Sequence, residues 1–375
     1  MKASLERLCQ FWMAVLFTAS VSRGQTLSFK VDVHDAGQSL SQITVSETGE
    51  VYVGGFNTLL HLSANLTPHT ILSLGPVRDS LNCDPTAGEC KGSFTANEVK
   101  VLEVDKRKQQ LLMCGSVRQG VCRMYSLKNI SRYTNTSTLT LSSYVGGKKS
   151  VAVLFDQNSN DTEDILFVGQ EYDGRNYSFS PNVISTRKVD TMTGFQIDFL
   201  FVNYDIHQLS GLDIHPTLKA DGFHMEFVDI LQDDSYVYFV TIQQKTTAGL
   251  NTPYPRLGRI CFGDKTRDVV YASYVEIGLL CKVDDISYPK ILDTTIEDGV
   301  LYFSAGRADD DNQWLFETDP NKGSVVCAVL MSDITTRFTQ VNYECYADST
   351  AAVQIAAWKS GADHSRCTNT GVCTS

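Results

Sequence analysis

One short pattern recurs five times along this chain and constrains the fold more than any other feature. An acidic or polar turn leads into a short apolar run, which often ends in glycine. The runs are Val51 to Gly55 (VYVGG) after SETGE, Leu111 to Gly115 (LLMCG) after DKRKQQ, and Ile165 to Gly169 (ILFVG) after NDTED. Two more are Val237 to Val240 (VYFV) after QDDSY and Val300 to Phe303 (VLYF) after TIEDG. Apolar runs this short, bounded by turn residues, read as buried strands and not as helices. Each is followed by a second strand: Thr58–Leu62, Val121–Leu127, Val183–Val189, Leu257–Phe262 and Gln313–Thr318. No long amphipathic helical pattern interrupts them. The runs open at residues 51, 111, 165, 237 and 300, so the unit recurs loosely. Loosely periodic antiparallel units mark a β-propeller, whose blades cannot bury their faces alone and must stack around an axis. The expected architecture is all-β, with about five blades and large loops between strands. A β-sandwich would need closer and more even strand spacing. Two unrelated β domains would leave a Pro/Gly/Ser-rich linker, and none is visible.

The amino terminus places the chain in a compartment. Lys2 and Arg7 precede the apolar run Phe11 to Phe17 (FWMAVLF), and small residues follow up to Gly24. A charged stretch, a short apolar stretch and a small-residue cleavage site together read as a signal peptide spanning residues 1–24. The run is too short to cross about 30 Å of hydrocarbon, and no later segment reaches about 18 consecutive apolar residues. Residues 25–375 are read as one domain that enters the secretory pathway and works outside the cell or on its surface. Eleven cysteines are present, and Cys9 leaves with the signal peptide. The even count that remains implies five disulfides in an exported chain. Five N-x-S/T sequons, at Asn65, Asn129, Asn135, Asn160 and Asn176, predict a glycosylated surface. A net charge of −11 excludes nucleic acid as a partner, because phosphate binding needs a basic stripe. The one dense basic cluster, Lys106-Arg107-Lys108, reads as a solvated hairpin turn.

A family resemblance rests on the segment Cys114-Gly-Ser-Val-Arg-Gln-Gly-Val-Cys122, which follows Val101-Leu-Glu-Val-Asp105 and precedes Arg-Met-Tyr-Ser-Leu127. This resembles the second blade of a plexin sema domain. Leu166 to Gly169 with Tyr172-Asp-Gly174 and Ile184 to Lys188 resembles the third blade. Tyr236 to Phe239 with Arg259 to Phe262 and Ser273 to Glu276, then Cys281, resembles the fourth. Ser324 to Ala328 and Glu344-Cys-Tyr346 resemble the end of the fifth. The resemblance implies a sema-type seven-bladed propeller of which about five blades are present here, incomplete at its C-terminal side. It also implies that Leu27 to Val33 closes the ring as an outer strand. Gln119-Gly120 in the hairpin favours a plexin over the hepatocyte growth factor receptor group, which shares the fold.

The cysteine framework divides at this point. Cys114 ends one strand and Cys122 opens the next, so a cross-strand Cys114–Cys122 bond is within reach, and Cys83–Cys90 closes a tight Pro/Gly loop (CDPTAGEC). Six later cysteines allow 15 pairings by sequence alone. The resemblance to plexins implies Cys261–Cys373, Cys281–Cys327 and Cys345–Cys367. Zinc at His364 with Cys367 and Cys373 is the competing reading, which an oxidising compartment and the absence of paired ligand spacing disfavour.

Enzyme chemistry finds no footing in the sequence. Asp233-Asp234, Asp284-Asp285 and Asp309-Asp310-Asp311 lie in turns beside strands, where Asp accepts backbone hydrogen bonds. Asp309 to Asn312 lacks the spacing and glycine of a calcium loop. No GxSxG, HExxH or GxxxxGK[ST] motif occurs. His34, His61, His69, His207, His215, His224 and His364 are scattered singly. The expectation is therefore a binding ectodomain without cofactor or metal. The resemblance implies that its partner is a semaphorin, that loops of the middle blades make the contacts, and that ligand dimers cluster receptors. In a full-length receptor the chain would continue into a membrane helix and a cytoplasmic region. The alternatives are a relative of the hepatocyte growth factor receptor group and a soluble semaphorin-binding decoy. No individual ligand-contact residue can be named from the sequence.

Overall fold

The computed structural model describes residues 39–80, 83, 90–140, 149–156, 163–171, 183–190, 196–199, 211–214, 223–233, 235–244, 253–261, 273–308, 318, 322–347 and 358–360. Five antiparallel sheets follow one another along the chain. The first joins β1 (Leu40–Val45), β2 (Val51–Gly55), β3 (Thr58–Leu62) and β4 (Pro68–Ser73) in chain order. A small hairpin of β5 (Val77–Asp79) and β6 (Ser93–Thr95) leads into the second sheet. That sheet joins β7 (Val99–Asp105), β8 (Gln110–Gly115), β9 (Val121–Ser126) and β10 (Asn129–Thr140). The third contains β11 (Ser150–Asp156), β12 (Glu163–Gln170), β13 (Ile184–Asp190), β14 (Gln196–Phe199) and β15 (Gly211–Ile214). The fourth joins β16 (Met225–Gln232), β17 (Tyr236–Gln244), β18 (Pro253–Cys261) and β19 (Val275–Gly278). A second hairpin, β20 (Cys281–Val283) with β21 (Ile286–Tyr288), precedes the fifth sheet of β22 (Lys290–Glu297), β23 (Val300–Gly306) and β24 (Ser324–Leu330). Helix α1 (Met331–Ala347) follows, and β25 (Trp358–Ser360) returns to pair with β15.

The first strands β1, β7, β11, β16 and β22 pack successively against one another. They form the inner wall of a β-propeller, and each sheet is one blade. Strands alternate in direction, so every inner strand starts at the same end of the ring, here called the upper end. Connections between blades and the turns between second and third strands lie there. Turns between first and second strands, and between third and fourth, lie at the lower end.

The core is divided into slabs between neighbouring blades. Tyr52, Leu59, Val99, Leu102 and Met113 fill the slab between blades 1 and 2, whereas Phe167, Phe227 and Phe239 fill that between blades 3 and 4. In blades 1 to 4 the second strands are buried without alternation, as in Val237 to Ile242, whereas β23 alternates and leaves Tyr302 exposed. Outer strands cover one side only, and β24 alternates between exposed and half-buried positions.

Glycine at the end of a second strand has a steric reason. A Cβ on Gly54 would come within 2.5 Å of the Val99 side chain, and one on Gly169 within 2.5 Å of Phe227. Val99 and Phe227 belong to the inner strands of other blades. The missing side chain is therefore what admits neighbouring blades at close range.

Two expectations are corrected. The partner of Val300–Gly306 is Ser324–Leu330, not Gln313–Thr318. Of the latter only Thr318 is described, bridged to Ala308. The 17-residue helix α1 also contradicts the absence of helical pattern. It turns only a narrow stripe inward, with Ile334 and Phe338 buried and Met331 and Val341 partly so. Thr335, Thr336 and Thr339 are weak helix formers, and Thr336 Oγ1 and Thr339 Oγ1 donate back to Ser332 O (2.8 Å) and Thr335 O (3.0 Å). Docking holds the helix. The Arg259 guanidinium lies between the rings of Tyr236 (4.1 Å) and Phe338 (4.3 Å), tying α1 to blade 4. The proposed closing strand Leu27–Val33 and the signal peptide lie outside the described residues.

Candidate protein interface

The upper end of blades 1 and 2 is built as one stapled platform. Cys114 closes β8 and Cys122 opens β9, and they are bonded with Cα atoms 4.0 Å apart. The turn between them places Arg118, Gln119 and Gly120 at φ of 52°, 60° and 84°. Left-handed backbone is costly for the first two residues, so surrounding contacts must hold it. Asp79 Oδ2 accepts from Arg118 N at 2.9 Å, and Gln119 Nε2 donates to Cys83 O at 2.7 Å. Cys83 is bonded to Cys90, so one staple braces the other. Asn97 completes the platform. Its Oδ1 accepts from Ser116 N (3.1 Å), while its own N–H donates to Asn57 Oδ1 of blade 1 (2.8 Å).

Asp79, Cys83 and Cys90 place their ligand atoms within 4.8 Å of one another. Metal binding by the cysteines would need thiolates, and both sulfurs are used in the disulfide. The zinc alternative at His364, Cys367 and Cys373 lies outside the described residues.

Nearer the axis, ion pairs on a buried carboxylate link the blades. Glu226 on β16 takes Lys149 from the approach to β11 (2.6 Å) and Lys290 from the start of β22. Burial alone would raise the Glu226 carboxyl, but the two cations outweigh it and hold it below the usual range. Lys290 is lowered, since burial, helped by the like charge of Lys149, outweighs the pull of Glu226 and Glu171. Thr294 Oγ1 adds a hydrogen bond to Asp229 Oδ2 at 2.7 Å between blades 5 and 4. Lys100 pairs with Glu98 at 2.6 Å and is likewise lowered by burial.

At the lower end Lys106-Arg107-Lys108 does form a hairpin turn with Lys106 exposed, but its other two cations are engaged and not simply solvated. Arg107 and Lys108 both bind the buried carboxylate of Asp164 on blade 3. Asp105 lies beneath, accepting from Lys108 N at 2.8 Å. Burial raises Asp105, and the charge of Asp164 adds to the rise. The turn is thus a clamp between blades 2 and 3. On blade 1, His61 stacks on Tyr52 (4.7 Å) beside His69 (5.1 Å), with Nε2 3.6 Å from Glu50 Oε1. Burial lowers His61, which is therefore neutral and structural at physiological pH.

Cys281 is bonded to Cys327 with Cα atoms 6.1 Å apart, and Cys261 is also disulfide-bonded. Cys345 falls within α1, but its side chain, like Cys367 and Cys373, lies outside the description. Asn65 is exposed in a lower-end turn, and Asn129 is exposed at the start of β10. Asn135 is on β10, and Asn160 and Asn176 lie outside the described residues. Asp233 caps its turn, with Oδ1 accepting from Ser235 N and Tyr236 N at 2.8 Å each and Oδ2 accepting from Tyr238 OH at 2.7 Å. Asp284 and Asp285 form an exposed hairpin turn, while Asp234 and Asp309 to Asp311 lie outside the description. His224 precedes β16, and His34, His207 and His215 also lie outside it. Sequence reasoning missed Glu226, Lys149, Lys290 and Asp164. Their partners lie 56 to 77 residues away, and no local pattern reveals them.

No family model matches the chain. Curated relatives are plexins. Plexin A3 of Danio rerio is 28% identical over 309 residues, covering 74% of this chain and 16% of that protein. Plexin-B2 of Mus musculus is 29% identical over 307 residues, covering 79% and 16%. The chain therefore spans about one sixth of the length of these relatives. Among solved structures, the plexin A4 extracellular region superposes with a TM-score of 0.61 at 21% identity, covering 81% of this chain and 35% of that one. Drosophila Semaphorin 2a gives 0.52 at 15%, covering 79% and 48%. The chain is similar to plexins over most of its length and has the sema fold. Among the described residues, no helix is long and apolar enough to cross a membrane.

Proposed function

We propose that this chain is the ligand-binding sema propeller of a plexin-like receptor, acting outside the cell by binding a semaphorin, without catalysing a reaction. The observation that carries this reading is the similarity to plexins along most of the chain, on a fold whose upper-end loops are braced by disulfides. Loops held in advance lose less ordering entropy on binding, which suits recognition between two large rigid surfaces. The signal peptide at residues 1–24, the domain over 25–375, the pairs Cys261–Cys373 and Cys345–Cys367 and the glycans belong to the same reading. So does receptor clustering by a dimeric ligand.

The test is direct binding. The secreted chain is immobilised on a biosensor and exposed to a panel of semaphorin ectodomains and to hepatocyte growth factor. Saturable binding of at least one semaphorin, with none of the growth factor, is the expected result. Growth factor binding alone, or no binding by a correctly folded chain, overturns the reading.

A further inference from the structure

We infer that the β20–β21 hairpin is a rigid docking finger for a folded protein partner, one that offers an apolar pocket rimmed by lysine or arginine. The inference rests on the reading of the chain as a protein-binding ectodomain and says where on it the partner is gripped.

The hairpin stands at the upper end between blades 4 and 5. Its register pairs Cys281 with Tyr288 and Val283 with Ile286 around the two-residue turn Asp284-Asp285. Alternation places Cys281 and Val283 on one face, together with Ile286 and Tyr288. At the base that face is used: Cys281 is 1% exposed, and Tyr288 packs on the core shared by blades 4 and 5. Towards the tip the same face is bare, with Val283 43% and Ile286 44% exposed. Leu280, just before the hairpin, is 46% exposed. Directly opposed side chains on paired strands touch, so Val283 and Ile286 form one continuous apolar tip.

Two further features argue for a binding role. An isolated two-stranded hairpin is marginal in water, yet the Cys281–Cys327 bond ties this one to β24 of the next blade. The tip is thereby held out before any partner arrives. The turn also carries two exposed carboxylates side by side, Asp284 and Asp285, opposed by the single Lys282. On a chain of net charge −11, an apolar tip crowned by acids complements an apolar pocket with a basic rim. Asp284 sits at φ 52°, a conformation that aspartate tolerates better than most residues, so the acid also suits the turn.

The experiment uses the full secreted chain and a semaphorin ectodomain that binds it. The double variant Val283→Asp with Ile286→Asp should weaken binding by about tenfold or more, mainly through faster dissociation. A second variant, Asp284→Asn with Asp285→Lys, keeps the turn conformation and leaves the apolar tip alone. It should slow association several-fold at low salt and much less at high salt. Unchanged circular dichroism and secretion establish folding for both variants. Wild-type affinity in both variants overturns the finger while leaving the receptor reading intact. Absence of binding by the wild-type chain overturns the receptor reading and the finger with it. Concentration-dependent self-association that is lost in the Val283/Ile286 variant overturns the finger in favour of a second copy as its occupant.

Discussion

Two buried ion clusters in this propeller share one formula, a carboxylate taking two cations, and differ in wiring. Glu226 draws Lys149 from blade 3 and Lys290 from blade 5, so one side chain joins three blades at the upper end. Asp164 draws both Arg107 and Lys108 from a single turn of blade 2, so it joins two blades at the lower end. The cost of losing the anion depends on where the abandoned cations can go. In the upper cluster Lys149 is 42% exposed but Lys290 only 9%, whereas in the lower Arg107 is 28% and Lys108 15% exposed. The lower cluster can return its charges to water, and the upper cannot return Lys290.

The largest effect should therefore come from Glu226→Gln. It removes the carboxylate closest to a buried ammonium and should cost about 3–5 kcal/mol in urea unfolding at neutral pH. Asp164→Asn should cost less, about 2 kcal/mol, because its cations rehydrate. Equal losses in the two variants would break the wiring argument.

The smallest effect concerns Asp105, which lies beneath the lower cluster with a raised pKa. A raised acid favours folding most below its ordinary value of about 3.9, and that contribution is lost as pH rises through the folded value. Glu226 is lowered. Its stabilisation is present above about 4.3 and is lost as pH falls through its own folded value. Mild acidification should thus relieve the lower cluster before it weakens the upper. Asp105→Asn should change stability at neutral pH by no more than about 1 kcal/mol and should abolish the gain on mild acidification. A pH–stability curve of this variant that still rises on mild acidification would assign the gain elsewhere.

The inner architecture was legible in the sequence because the second strands of blades 1 to 4 are covered on both sides, and runs such as Val237 to Val240 need no context to be read. Gly54 and Gly169 were legible as punctuation, but their role in blade contact needed Val99 and Phe227 in place. Helix α1 was hidden because its buried stripe is thin, and its anchor Arg259 comes from blade 4. The hairpin turn at Lys106 to Lys108 was legible, but the engagement of Arg107 and Lys108 was missed for the same physical reason. A basic cluster looks solvated until Asp164, 56 residues after Lys108, is brought beneath it. Long-range pairing leaves no local periodicity to detect.

The Cys281–Cys327 bond also bears on mechanics. A pull on the β20–β21 hairpin runs through a covalent link into β24 and across its hydrogen-bonded ladder to β23 and β22. From Lys290 at the head of β22 it reaches Glu226, and from there Lys149. Tension applied at one exposed turn is thus shared by three blades, where an unbridged loop would simply peel.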